Sequence, residues 1–442
     1  MQDALEFFRS EPAYGKLFQA FRNKYESLGR LGGNISTDSF SEEELEQIAR
    51  FFGISTTRLR RKGAVALLDF ESQLRMTRFG IMDLKALLDA YFGEEIFSKR
   101  EQEMARRNRI QDLLQTLQSE LPALSFWFGC LLAQSAEARW IIQTAERDEA
   151  LFRTMSKQLH KAILELPNSP VRLPFFSQLV TGDPHAMDLN TEFGKLFLHA
   201  LAVLQRMNED GTEGADGKLT TPTATEEVNE LLNTYNIYRD DLLNFVTIAN
   251  FTARMKTGET YPVWQSAGEV GAVLNSPLRE IIALSDIRPA TGQHVWIVEN
   301  SGVCSALLDW QPRMPIISTN GQFKLAALLM MDQLVEAGFQ LHYSGDFDPE
   351  GLSMAQRLLE RFPGYVDLWC MDVNTYRLSK PLKKLEPERL SKLNGINHPS
   401  LIELSEAIKT EGKAGYQEAI VEGMLSYIGD VLEKGLSKKP LK

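Results

Sequence analysis

The sequence predicts a multidomain protein of α and α/β class. It has a mainly helical N-terminal region, a small mixed module of helices and strands in the middle, and a C-terminal α/β domain built on a parallel sheet. Three observations predict this. Apolar residues recur at three- and four-residue spacing from Ala4 to about Met207, a glycine- and acid-rich stretch interrupts them, and from Thr291 short apolar runs alternate with amphipathic segments. A chain of 442 residues also exceeds what one hydrophobic core usually organises.

The N-terminal periodicity is plain in EEELEQIARFFGI and IMDLKALLDAYFG, each with an apolar stripe at helical spacing. It breaks at GRLGGNISTDSF, where Gly29, Gly32 and Gly33 permit a tight turn and NIS reads as extended, so a small wing or hairpin is expected there. Ser41 with Glu44 three residues on forms a capping box that starts the next helix. The longest apolar run, Leu121–Gln134, falls short of the roughly 20 residues a membrane span needs and reads as a buried helix. Residues 208–225 carry glycines, acids and a proline with Leu219 as the one large apolar residue, which marks a linker. Residues 226–289 alternate helix-like and strand-like runs. From residue 290 the runs HVWIVE, MPIIST, FQLHYSGDFD and YVDLWCMD read as strands, and the segments between them as helices. That rhythm implies parallel strands with helices on both faces.

Composition excludes several function classes. Net charge is −11 and the pI is about 5.3, so the chain is not held to nucleic acid by a general positive field. Any such contact must be local. The candidate basic patches are Arg58, Arg60, Arg61 and Lys62 in TTRLRRKG, then Lys99, Arg100, Arg106, Arg107 and Arg109; each reads equally as a solvated helix face. Cys130, Cys304 and Cys370 lack CxxC spacing and are odd in number, which supports neither a disulfide framework nor a zinc cluster and fits a reducing cytoplasm. The six histidines are scattered, and no export signal opens the sequence.

The chemistry-bearing residues are carboxylates. Glu299 follows VWIV and should leave the carboxyl end of one strand; Asp346 and Asp348, in LHYSGDFDPEG, should leave the end of another. Period-two alternation places both aspartates on one side and Phe347 on the other. In parallel sheets ligands collect at that edge. Converging carboxylates repel unless a cation neutralises them, and an oxygen-only set suits Mg²⁺ or Mn²⁺, so phosphodiester chemistry is expected. The competing reading is an acidic turn, with Asp348 capping the helix after Pro349 and Glu350 favoured there by the helix dipole.

A strand ending in Glu followed by a strand ending in Asp-x-Asp with Pro-x-Gly resembles the Toprim domain, and GDFDPEG is similar to the motif in the DNA-cutting chain of topoisomerase VI. The runs GRLGGNIS, YRDDLLNFVTIANF, VWIVENSGV, ISTNGQ and LHYSGDFDPEGLSMA together resemble the JetD family, the nuclease subunits of Wadjet anti-plasmid systems, in their type II form. The resemblance implies residues 1–207 as a helical N-terminal arm, 208–225 as a linker, 226–289 as a winged-helix (CAP-like) module and 290–442 as a Toprim catalytic domain. It implies Glu299, Asp346 and Asp348 as catalytic and metal ligands, with Glu350 as a possible fourth ligand, and Mg²⁺ or Mn²⁺ as cofactor.

It further implies a homodimeric, bacterial, cytoplasmic DNA endonuclease that cuts double-stranded plasmid DNA, partnered by a condensin-like SMC ATPase with its kleisin and accessory subunits and with no membrane. The alternatives are a topoisomerase VI-like or RNA-processing Toprim enzyme, or a non-catalytic DNA-binding adaptor of an SMC complex. Topoisomerase VI relatives attack through a tyrosine; here Tyr235 and Tyr238 lie in the corresponding module and read either as a nucleophile, with Arg239 on phosphate, or as packing aromatics. Asn320, Gln322 and Lys324, around Gly321, are candidate phosphate contacts or an ordinary turn.

Overall fold

The structure is a computed structural model that describes residues 2–80, 83–133, 138–210 and 221–435. It is mostly helical, 61%, with a mixed six-stranded sheet in its C-terminal half, and so has the expected α and α/β character. The chain divides into two compact units, Met1–Ser156 and Lys157–Lys442.

The first unit holds α1 (Gln2–Ser10), α2 (Pro12–Leu28), β1 (Asn34–Ser36), α3 (Glu42–Phe51), α4 (Thr56–Lys62), β2 (Ala64–Ala66), α5 (Leu67–Arg75), α6 (Leu84–Phe92), α7 (Lys99–Glu120), α8 (Ser125–Leu132) and α9 (Arg139–Arg147). The Ser41–Glu44 capping box starts α3 as expected. The turn at Gly33 does lead into a strand, but β1 pairs with β2 some 30 residues on, antiparallel, Ile35 opposite Val65, instead of closing a local hairpin. An aromatic core binds these helices: the Phe51 and Phe70 rings stack at 4.4 Å, and Phe8, Phe18 and Phe21 are fully buried. The apolar run after Leu121 becomes α8, with Trp127, Phe128 and Leu131 buried.

α10 (Glu149–Leu164), β3 (Val171–Arg172), α11 (Leu173–Thr181) and α12 (Glu192–Asp210) follow. Residues 157–207, expected with the N-terminal helices, pack with the second unit. The reason is non-local: β3 pairs in parallel with β4 (Ile237–Tyr238), and the Tyr235 hydroxyl donates to the Leu201 carbonyl at 3.2 Å. Of the expected linker, residues 211–220 lie outside the described residues.

After α13 (Thr225–Thr234) come β5 (Phe245–Ala249), β6 (Phe251–Met255), α14 (Pro262–Val270), β7 (Val273–Pro277), α15 (Leu278–Ile281) and β8 (Leu284–Pro289). These do not stand apart as a winged-helix module. β5 and β7 join the main sheet, and Val246, Ile248, Trp264 and Leu284 belong to the same buried cluster as the C-terminal strands. Asn250, at φ +65°, turns the chain sharply out of β5, and its amide donates to the carbonyls of Pro312 and Met314 at 2.9 and 2.8 Å.

The remaining elements are β9 (His294–Val298), α16 (Ser301–Trp310), β10 (Ile316–Ser318), α17 (Leu325–Glu336), β11 (Gln340–Ser344), α18 (Pro349–Arg361), β12 (Val366–Leu368), α19 (Val373–Leu378), β13 (Lys383–Lys384), α20 (Pro387–Lys392), α21 (Pro399–Glu411), β14 (Lys413–Ala414) and α22 (Val421–Gly435). Strand order is β12-β11-β9-β10-β5-β7. The first four run parallel, as the alternating pattern predicted, while β5 and β7 add antiparallel pairs, so the sheet is mixed. Trp296 anchors the core, stacked on His342 at 4.5 Å and edge-on to Trp369 at 4.8 Å. Burial holds the His342 imidazole down to about 4, with His294 2.8 Å away adding to it, so the pair is a neutral core contact.

Candidate functional site

Glu299 and Asp346 leave the carboxyl ends of β9 and β11, which are direct neighbours in the sheet, with Val298 opposite Ser344. Parallel strands in register deliver both side chains to one edge. The Asp346 N–H donates to Glu299 Oε2 at 3.3 Å, and the Gln417 N–H donates to Asp346 Oδ1 at 2.9 Å. The loop stays extended through Phe347, which is fully buried and bridges to Gly415 by a reciprocal pair of backbone bonds at 3.0 and 3.1 Å. Asp346 and Asp348 therefore flank a buried residue, as the alternation predicted.

The electrostatics are those of carboxylates lacking a counter-charge. Burial first, then Asp346, pushes the Glu299 carboxyl up to about 7, with Asp348 and Glu350 adding smaller repulsions. Burial raises Asp346 to about 6; the Gln417 N–H opposes the rise, and Glu418 and Asp348 reinforce it. Underneath, the Tyr343 hydroxyl, the Ser344 hydroxyl and both amide atoms of Gln417 are buried without a hydrogen-bond partner. Each such group costs about 1–3 kcal/mol when left unsatisfied, so this is a place built around something polar.

Asp348 and Glu350 are engaged differently. Asp348 caps α18, accepting from the Gly351 N–H at 2.8 Å, and its other oxygen takes Arg389 at 2.7 Å. Glu350 also binds Arg389, and Lys392 at 2.9 Å, and against its burial these cations hold it below the usual carboxylate range. The expected convergence on a single ion is thus only partly met. Among the described residues no three His, Cys, Asp or Glu side chains are gathered closely enough to hold a metal ion. Glu299 and Asp346 fit a hard divalent cation in donor chemistry, and the orphaned groups beneath them agree; Asp348 and Glu350 are turned to a guanidinium brought in by α20.

That arrangement yields a test. If Asp348 is a ligand, Arg389 competes with the ion for it. Arg389→Ala is expected to raise Mg²⁺ affinity about fivefold, the equivalent of about 1 kcal/mol for one partly exposed ion pair. Calorimetry that finds unchanged affinity would leave Asp348 as a helix cap.

The other expected residues separate into two places. The Asn320 amide donates to Thr247 at 2.7 Å, and the Gly321 N–H donates to the Glu299 carbonyl at 3.1 Å, so this turn braces the site backbone. Asn320 also edges an 800 Å³ cavity with Thr247, Asn275, Ser301 and Ser305. Gln322 is exposed. Arg239 and Lys324 line a different cavity of 390 Å³, and the Lys324 ammonium sits 3.9 Å over the ring of Phe245, which borders the first. Tyr238 is buried and its hydroxyl pushed up by burial. Sequence reasoning missed Gln417, Glu418, Arg389 and Tyr343. The first three come from segments some 40–70 residues past the motif and carry no local signal; Tyr343 reads only as a strand aromatic.

Residues 31–253 match the family model described as Protein of unknown function N-terminus (DUF3323), and residues 274–428 match the one described as Protein of unknown function C-terminus (DUF2399). Both contribute to the six-stranded sheet, since β5 lies in the first match and its partner β7 opens the second. No curated protein matches the chain.

Proposed function

We propose a function for a chain that belongs to the DUF3323 family, described as a protein of unknown function N-terminus. It is a Mg²⁺- or Mn²⁺-dependent endonuclease that hydrolyses double-stranded plasmid DNA as the effector component of a condensin-like SMC defence complex. The observation that carries the chemistry is the Glu299–Asp346 pair, joined by one N–H at the carboxyl edge of adjacent parallel strands and pushed up toward neutral pKa. A divalent ion there, with Asp348 as the third candidate ligand, supplies Lewis-acid polarisation of a phosphate and an activated water. Gln417 orients Asp346, and the Asn320–Gly321 turn fixes the Glu299 backbone.

The pathway reading draws on the matched domains, which are the pair found in JetD-like proteins. The SMC ATPase with its kleisin, the homodimer and the bacterial cytoplasm rest on that resemblance. No helix of the described residues is long and apolar enough to cross a membrane. Hydrolysis is favoured over tyrosine attack because the Tyr235 hydroxyl is spent on the Leu201 carbonyl and Tyr238 is buried. The observation favouring a second reading, a non-catalytic DNA-binding adaptor, is the Arg389 contact that already satisfies Asp348 and Glu350.

Plasmid cleavage reconstituted with an SMC ATPase, its kleisin and accessory subunits is the direct test. Linear product that disappears in a folded Glu299→Ala variant is expected; undiminished cutting removes the reading. Relaxed circles, cut RNA or a trapped protein–DNA adduct would select the topoisomerase-like or RNA-processing alternatives. Calorimetry on the full chain separates the adaptor, which has no need to bind Mg²⁺.

A further inference from the structure

In the first unit, α3 and α4 are joined by residues 52–55, with Gly53 at φ +65° making the turn and the Ile54 N–H closing it on the Ala49 carbonyl at 3.1 Å. Ser55 caps α4, and Gly63, at φ +69°, ends it. α2 packs against α3, with the Tyr14 and Phe51 rings 6.1 Å apart, and the Ala13 N–H donates to Gln47 at 3.1 Å. β1 and β2 pair across the base of the helix pair, and the pairing is prolonged by Thr37 N–H to the Gly63 carbonyl and Leu67 N–H to the Gly33 carbonyl, both 3.1 Å. Helix, strand, helix, four-residue turn, helix, strand is the arrangement in which the helix after the turn is presented to a groove.

The chemistry of α4 agrees with that geometry. Its seven residues, TTRLRRK, hold four cations and no acid. Leu59 is buried at 2% and pins the helix to the core, while Thr57, Arg58, Arg60, Arg61 and Lys62 are exposed. Arg60 pairs with Glu42, and Lys62 pairs with Asp69 at 2.5 Å, which neutralises those two acids. Arg58 and Arg61, three residues apart and so on one helical face, carry no ion pair among the described residues. In a chain of net charge −11, such a face attracts a polyanion locally. An isolated α-helix end of this size fits the major groove of B-DNA and not the deep, narrow one of A-form RNA.

We propose that α3–α4 is a helix-turn-helix that docks α4 on duplex DNA, with Arg58 and Arg61 on backbone phosphates. This surface stands independently of the carboxylate site. The test uses the full chain in EDTA, so that no cleavage intervenes, with fluorescence anisotropy on a duplex of about 25 base pairs, which spans more than one helical turn either side of the docked helix. Arg58→Ala/Arg61→Ala is expected to weaken binding about tenfold or more, to lower the slope of log affinity against log salt by about two, and to leave thermal unfolding unchanged. Arg58→Lys/Arg61→Lys should recover most of the affinity. Arg106→Ala/Arg107→Ala, whose arginines are ion-paired in and beside α7, should bind as the parent does. The proposal is overturned if the parent chain fails to bind the duplex, if the α4 alanine variant binds unchanged, if the α7 variant loses as much, or if hairpin RNA is preferred. Each of those leaves the Mg²⁺ calorimetry of the carboxylate pair unaffected.

Discussion

Asp346→Asn is expected to slow cutting about a thousandfold and, in metal-free protein, to raise stability. An acid whose folded pKa lies above its unfolded value holds its proton longer in the native state, so stability is lost as pH rises through the window between the two values. For Asp346 that window runs from 3.8 to about 6. Above it the ionised group destabilises the fold by about 3 kcal/mol on the shift alone, which solvent reaching the partly exposed carboxyl trims to about 1–2 kcal/mol. Asparagine removes the charge and keeps an oxygen for the Gln417 N–H. Unfolding in EDTA should therefore show the variant ahead of the parent at pH 8 and level with it near pH 4. Comparing variant with parent cancels the opposing titration of His342, which lies outside the pair. Mg²⁺ should stabilise the parent and not the variant, and cleavage should fall by about a thousandfold, the equivalent of the several kcal/mol an ion contributes. A variant less stable than the parent at pH 8 would mean the pair is not short of positive charge.

The second large effect belongs to a glycine. A Cβ on Gly351 would stand 2.1 Å from the Asp346 carbonyl oxygen and 3.1 Å from its nitrogen, so the first turn of α18 lies directly against the backbone that carries the site. Neither can yield without moving the other. Gly351→Ala is expected to destabilise by about 3 kcal/mol, at the upper end of overpacking, and to weaken Mg²⁺ binding by displacing Asp346. Gly429→Ala, at an exposed position of α22 where an added Cβ meets nothing within 4 Å, should be neutral or stabilising by about 0.5–1 kcal/mol. Equal melting temperatures for the two variants would break the link between this helix turn and the site.

These effects divide the molecule into what local pattern encodes and what it does not. The strands ending at Val298 and Ser344, the helix after Pro349 and the alternation about Phe347 were all legible, because each is a relation among residues a few positions apart. The glycine of DPEG was legible as a motif, though its reason, the contact with the Asp346 carbonyl, was not. The sequence misled on the middle of the chain. Residues 226–289 carry the composition of a small mixed module, but β5 pairs with β10 some 70 residues later, and pairing at that separation leaves no local mark. Likewise the region of α3 and α4 was legible as an extended turn, a capped helix and a basic stretch, but the pairing of β1 with β2 some 30 residues on left no local mark.

Periodicity and side-chain type, which are local properties, set where the carboxylates leave their strands and made them a set of oxygen donors. Which of them share a site depends on packing between distant segments. Glu299 and Asp346 meet because β9 and β11 are adjacent in register. Asp348 is drawn aside because α20 brings Arg389 to it, and Asp346 is oriented by an N–H from residue 417. Those contacts join segments far apart in the chain, and it is the burial of the shared core that brings them together.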